Sequence, residues 1–380
     1  MIIDKKIIGL NVKTGIKKFT AAKRALAVFV AIMMLFAALT GCSGEKQTAE
    51  NGEAGGHNTE TGEMSDTTGS SDIENNPGTE GSANTADSSE NEGSAVFPMT
   101  VTDANGDEMV IESKPQRIVS LTLGSDEILL SLVDKNRIAS LTRYADDEGI
   151  SNVAAEAKGV GTRLTMDQVE KIIALNPDLI ILDTWADPDY IKQLRNAGIT
   201  VYAFKTPGNI DEQKAVIAEL AHVVGADEKG QEIISWMDEK LKAVEEKLSA
   251  LKPEQKLTVM DYGESNSSGK GTNFDDIVTR AGLINVISRA GIEGWPVISK
   301  EKIIEFDPDI IILPSWYYDS GKSFESLRDT LKNDPSLQTV KAVKNDRIIS
   351  VPNPHISAIS QYVVLAVEDV AKAAYPELFE

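Results

Sequence analysis

The sequence predicts an α/β fold of two similar lobes with parallel-type central sheets, joined by one long helix, with a ligand cleft between the lobes. Three features carry this: a block repeated at a fixed offset, apolar runs too continuous for one-sided strands, and a proline-free helical stretch between the two copies. The block Glu170–Leu182 (EKIIALNPDLIIL) returns 131 positions later as Glu301–Leu313 (EKIIEFDPDIIIL), nine of the thirteen residues being identical, and Trp185 returns in the same register as Trp316. So long a match at one offset means that one structural unit occurs twice.

Each copy reads as a short helix, a Pro-Asp turn and a strand. Ile172, Ile173 and Leu175 offer an apolar helix face, and Pro177 cannot continue the helix. Leu179 to Leu182 is an unbroken apolar run, as in a strand buried on both faces of a parallel sheet covered by helices. Around the first copy, Arg117–Leu121 and Gly198–Phe204 read as strands, Asp126–Leu132 and Asp211–Val224 as helices. Around the second, Lys256–Asp261 and Arg347–Val351 read as strands, Phe274–Arg280 and Ile359–Ala374 as helices. Between them, Ala226–Leu251 carries Ile233, Ile234, Met237, Leu241, Val244 and Leu248 at helical spacing, with Glu and Lys on the other faces. A single helix there leaves a cleft between the lobes and limits hinging. The expected divisions are 96–225 for the first lobe, 226–251 for the helix and 252–380 for the second lobe.

The first 95 residues read differently. Lys13, Lys17, Lys18, Lys23 and Arg24 precede an apolar run, Ala25 to Leu39, which is shorter than the roughly 20 residues a spanning helix needs and stops at Gly41-Cys42. Residues 1–41 are therefore expected to be a signal peptide. Leu39-Thr40-Gly41-Cys42 resembles a bacterial lipobox, which implies that Cys42, the single cysteine, is diacylated and anchors the chain to the outer face of the cell membrane. Residues 42–95 are Ser, Thr, Gly, Asn and Glu with few large apolar side chains, a composition too polar to offset ordering entropy, and form the expected tether. Twelve acids and one lysine between residues 43 and 95 supply about half of the net charge of −21, so the acidity says little about the ligand and argues against nucleic acid.

The pattern Pro115-Gln116-Arg117-Ile118-Val119-Ser120-Leu121, the helix start Asp126-Glu127-Ile128-Leu129, both Pro-Asp turns, Gly294-Trp295-Pro296 and Arg347-Ile348-Ile349 together resemble the binding proteins of ABC importers for ferric siderophores, haem and vitamin B12. The likeness spans about residues 100–380. It implies a monomeric extracytoplasmic protein, not an enzyme, that needs no cofactor, captures a small metal chelate and passes it to an ABC permease driven by a separate cytoplasmic ATPase. A ferric siderophore is the leading ligand, with a corrinoid or haem as alternatives. It also implies that Glu170 and Glu301, at the head of each repeat, dock on permease arginines; an acid in the first helical turn is equally favoured by the helix dipole.

Ligands of open α/β sheets sit beyond the carboxyl ends of the strands. Those ends carry Trp185 in one lobe and Trp316, Tyr317 and Tyr318 in the other, with Tyr144 and Tyr262 after two further strands. Trp295 resembles the family's ligand-contacting Trp before Pro. Arg143 and Arg163 are expected near the same cleft, where they could pair with ligand carboxylates. His355, in Pro352-Asn353-Pro354-His355, could ligate iron or donate a hydrogen bond. A free-metal receptor would need more histidines than His57, His222 and His355 provide. Gly269-Lys270-Gly271-Thr272 lacks the glycine spacing of a phosphate loop and reads as a turn. A hydrolase would need a nucleophile beside a base, and no Gly-x-Ser-x-Gly elbow is present.

Overall fold

Eleven strands appear in the computed structural model, which describes residues 95–263, 265–315 and 323–380. In chain order they are β1 (Met99–Thr102), β2 (Glu108–Ile111), β3 (Ile118–Ser120), β4 (Ile138–Thr142), β5 (Arg163–Leu164), β6 (Leu179–Asp183), β7 (Val201–Phe204), β8 (Thr258–Asp261), β9 (Ile284–Asn285), β10 (Ile310–Ile312) and β11 (Ile348–Ile349). The first sheet has the order β5-β4-β3-β6-β7, the second β11-β10-β8-β9, and every pairing in both is parallel. Taken from opposite ends, β7-β6-β3-β4 and β11-β10-β8-β9 are one topology, with the repeated block supplying β6 and β10. The two antiparallel strands β1 and β2, which the periodicity does not announce, lie against the first sheet, held by Ala104 N–H donating to Ala203 O at 2.9 Å and by the Arg195–Asp103 ion pair at 2.6 Å.

The repeat extends to detail. Its helices are Val169–Ala174 and Lys300–Phe306. Each ends on a residue with left-handed backbone at equivalent positions, Asn176 (φ 49°) and Asp307 (φ 43°), where a short polar side chain tolerates the strain. The aspartate of each turn then pins the neighbouring strand: Asp178 accepts from Gln116 N–H (2.6 Å) and Arg117 N–H (2.9 Å), and Asp309 accepts from Thr258 N–H (2.9 Å) and its hydroxyl (2.7 Å). One correction concerns the helix faces. Ile172 and its counterpart Ile303 are fully buried, but Ile173 and Ile304 are each 38 % exposed and take no part in the core.

The helix between the sheets runs from Asp227 to Leu248, about 33 Å long, burying Gly230, Met237 and Val244. It packs on Ile210–Val223 and on the C-terminal helix Val363–Ala374. The latter starts four residues later than expected, because Ser360 and Gln361 are used otherwise. The Ser360 hydroxyl donates to the buried Glu127 carboxylate, Gln361 Nε2 donates to Glu127 O (3.2 Å) and Ser131 Oγ (2.9 Å), and Asn152 Nδ2 donates to Glu127 (3.0 Å) and Pro354 O (2.7 Å). One apolar cluster includes Ile118, Leu179, Phe204, Met237, Val259, Ile277, Ile310 and Val367, so both sheets and the long helix share a core. They belong to one compact unit. The two sheets are therefore joined by shared packing as well as by the helix.

Candidate functional site

The carboxyl ends of β6, β7, β8 and β10 converge on a cleft of about 730 Å³. From β6 come Asp183 and Trp185. The Trp185 N–H donates to the Asp183 carboxylate at 3.1 Å, a turn that leaves the indole 74 % exposed over the opening. From β7 come Lys205, Thr206, Pro207 and Gly208; the Glu212 carboxylate accepts both the Gly208 N–H (3.0 Å) and the Lys205 ammonium (3.3 Å).

The facing wall is built from Asp261 outward. Its carboxylate accepts from Ser267 Oγ (2.9 Å), Ser268 N–H (2.6 Å) and Ser268 Oγ (2.6 Å), folding the chain after β8 back on itself. Burial pushes this carboxyl above the usual range, with the serine hydrogen bonds opposing it. The folded-back segment is then laced to the loop bearing Trp295: Ser267 N–H donates to Pro296 O (3.1 Å), Gly269 N–H to Gly294 O (2.7 Å), and Lys270 N–H to Ile292 O (2.9 Å). A β-carbon on Gly269 would sit 2.3 Å from Ile292 O, so this approach requires glycine. Trp295 is consequently held on a braced loop yet remains 60 % exposed, and Tyr262 lies deeper, 7 % exposed, with burial raising its hydroxyl pKa.

At the floor the two halves touch. A β-carbon on Gly208 would come within 3.0 Å of Gly271 O, and Ile210 N–H donates to the Asp276 carboxylate (2.9 Å). Arg280 pairs with Asp276 (3.0 Å) and Asp211 (2.8 Å), closing a clasp under the cleft. Asn209, Asn266, Asn273 and Asn353 add uncharged polar groups to the lining.

Of the residues singled out from the sequence, Trp185, Tyr262 and Trp295 are brought together here. Arg143, Tyr144 and Arg163 are not; with Thr165, Asp167 and Gln168 they surround a separate recess of about 510 Å³. Arg163 has no donor to spare: its five N–H groups serve Asp146 twice (2.8 and 2.7 Å), Val160 O (2.6 Å), Thr162 O (3.0 Å) and Ala157 O (2.8 Å). Arg143 lies over its neighbour Tyr144, the guanidinium 5.1 Å from the ring centre. His355 is in a short helix, Asn353–Ile356. Its Nδ1 meets the Asp369 carboxylate at 2.5 Å, while Asn353 and Ile356 to Ile359 line the cleft in its place. Glu170 and Glu301 lie exposed on the repeat helices, away from the cleft lining. Cys42, Trp316, Tyr317 and Tyr318 lie outside the described residues. Gly271 and Thr272 belong to the cleft wall, Thr272 capping the helix Asn273–Arg280. Lys205, Asn209 and Asp261 escaped the sequence reading, although the rule that selects Trp185 also selects residues at the carboxyl ends of β7 and β8. No cluster of His, Cys, Asp and Glu suited to a metal ion occurs among the described residues.

Residues 118–354 match the periplasmic binding protein family. An uncharacterized ABC transporter substrate-binding lipoprotein of Bacillus subtilis, YvrC, is 26 % identical over 309 residues, covering 78 % of this chain and 92 % of its own. A cobalamin-binding protein of Halobacterium salinarum is 22 % identical over 284 residues, 73 % of this chain and 74 % of its own. Among solved structures, Helicobacter pylori CeuE in a nickel–histidine complex superimposes with a TM-score of 0.59 at 23 % identity, over 74 % of this chain and 89 % of its own. With a duplicated parallel-sheet unit, a cleft at the strand ends and a family match across both halves, the chain belongs to the periplasmic binding proteins and is a substrate-binding protein of an ABC importer.

Proposed function

We propose that this protein captures a bulky metal chelate of low negative charge, a corrinoid ahead of a catecholate siderophore or haem, and delivers it to its permease from a lipid anchor on Cys42. The carrying observation is the chemistry of the cleft lining. Trp185, Tyr262 and Trp295 provide aromatic surface, the asparagines provide uncharged hydrogen-bonding groups, and Lys205 is already balanced by Glu212. A strongly anionic chelate would lose hydration on entering such a site without gaining an unpaired cation among the described lining residues. A corrinoid, whose rim carries uncharged amides around a flat ring, matches both the stacking surfaces and the asparagines. The Halobacterium relative named for cobalamin supports the same direction. Glu170 and Glu301 serve as the docking acids on this reading.

The full chain, titrated by tryptophan fluorescence with cobalamin, a ferric hydroxamate, a ferric catecholate and haem, is expected to bind cobalamin below micromolar and the catecholate at least tenfold more weakly. Trp185→Ala and Trp295→Ala should each weaken cobalamin by about five- to fiftyfold, the range expected for losing a large apolar contact. Preference for the catecholate, or affinity indifferent to both substitutions, overturns the proposed ligand class.

A further inference from the structure

Of the nine positions identical between the two copies of the repeat, six are accounted for by the fold. Ile172, Ile180, Ile181 and Leu182, with their counterparts Ile303, Ile311, Ile312 and Leu313, are buried; Pro177 and Pro308 are also buried at the turn; Asp178 and Asp309 pin the neighbouring strands. Three are not accounted for by packing: Glu170, Lys171 and Ile173, repeated as Glu301, Lys302 and Ile304, all of them exposed. Lys302 is neutralised by Glu305 at 2.8 Å, whereas the position matching Glu305 is Ala174, so the lysines differ in setting. The glutamate and the isoleucine remain. Three residues apart, they share one face of each short helix.

An exposed isoleucine needs no explanation when it occurs once. Here it occurs twice at corresponding positions, each 38 % exposed, in copies that have diverged at neighbouring sites such as Ala174 and Glu305 or Leu175 and Phe306. Packing does not demand it, since the adjacent Ile172 and Ile303 fill the core. Helix propensity does not favour it either, a β-branched residue being a poorer choice than Leu, Lys or Glu on a solvated face. The placement also matters. Each helix precedes a parallel strand and runs against it, so its first turn stands level with the carboxyl ends of the strands, the level at which the cleft opens. Glu301 is kept ionised there, a hydrogen bond with Ser299 holding its carboxyl below the ordinary range.

We propose that Ile173 and Ile304 are paired apolar knobs of the permease-docking surface, each seated beside its glutamate and each entering an equivalent apolar socket that adjoins a basic group on a partner presenting that site twice. This rests on the reading of the chain as an importer's binding protein, and it adds a second, uncharged determinant to the acids. Two like patches on one chain match a partner built of two like halves, which for a membrane importer are its two permease subunits. Charge on the glutamates steers the encounter and sets orientation, whereas burial of the isoleucines governs how long the complex lasts.

The test measures association of the full chain with the detergent-solubilised permease–ATPase complex that supports its uptake activity, without ligand, by surface plasmon resonance. Ile173→Ser and Ile304→Ser are each expected to raise the dissociation rate about five- to tenfold, and the double variant by the product, with little change in association rate or salt dependence. Glu170→Arg and Glu301→Arg should instead lower the association rate. Ile→Val at both positions should retain most of the affinity, and thermal melting should be unchanged in every isoleucine variant. If the double serine variant dissociates like the wild type while the arginine variants fail to bind, the knobs are refuted and the importer reading stands. If the wild type does not associate at all, both fall.

Discussion

Asp126 is a fully buried carboxyl whose environment works against its charge. Burial dominates and raises its pKa to about 7, in spite of hydrogen bonds from Ser120, from the Thr142 hydroxyl (2.5 Å) and from the Thr142 N–H (3.1 Å); the neighbouring Glu127 pushes it the same way as burial. In the unfolded chain it would titrate near 3.8, so between about pH 3.8 and 7 the folded protein holds a proton the unfolded chain has released. Raising the pH through that window therefore removes stability, on the order of 2–4 kcal/mol, and above it the loss is complete. Asp126→Asn, which mimics the protonated side chain, should flatten the decline in chemical-denaturation stability between pH 4 and 7 relative to the wild type. An unchanged slope would remove Asp126 as its source. At this same scale the sequence announces Trp185 and Tyr262, because strand ends can be read from apolar runs, and Trp295 through its resemblance to the family's Trp before Pro. It does not announce that Arg163 is consumed internally, since four of its five bonds go to groups at 146, 157 and 160 that a loop and a short helix bring around it, and no local signal encodes that closure.

The repeated helix–turn–strand element is the most legible part of the chain, and its two Pro-Asp turns do the same work on different strands. Asp178 holds the two N–H groups ahead of β3, while Asp309 holds both the N–H and the hydroxyl of Thr258 at the start of β8. Replacing either by alanine leaves those donors without their acceptor. Asp178→Ala should cost about 1 kcal/mol and Asp309→Ala about 2 kcal/mol or more, because Asp309 and its partner are less exposed and solvent repays less of the loss. Urea unfolding with a common slope would measure both, and a larger effect at Asp178 would contradict this ordering. Elements set by long-range partners are less legible. The β1–β2 hairpin depends on Arg195 and Ala203 to hold it, and Ile359 to Tyr362 stays out of the C-terminal helix while Ser360 and Gln361 bond Glu127, more than 200 residues away.

Taken whole, the molecule is less divisible than two lobes on a connecting helix would suggest. Periodicity correctly places two like sheets on either side of Asp227–Leu248, and each keeps an apolar cluster of its own, around Ile180 and Val201 in the first and Met260 and Ile311 in the second, but Met237, Val259, Leu179 and Val367 lie in a further cluster common to both. Glu127 stands at the centre of the polar join between the halves. Burial raises its pKa, opposed by the hydrogen bonds from Ser360 and Asn152, so it is costly to place there and its partners are costly to abandon. Glu127→Ala would strand the Ser360 hydroxyl, the Asn152 N–H and the Asn152 amide in a dry interface, and should cost about 3 kcal/mol. Glu127→Gln keeps an oxygen for Asn152 and offers Ser360 an N–H to accept, so it should lose less than half as much. In both variants unfolding should remain a single transition, because the shared apolar cluster still couples the sheets after the polar join is weakened. Two resolved transitions in calorimetry of Glu127→Ala would mean that the join, and not the core, makes the halves one body, and ligand capture would then require far more closure than a cleft already clasped at its floor by Arg280, Asp276 and Asp211.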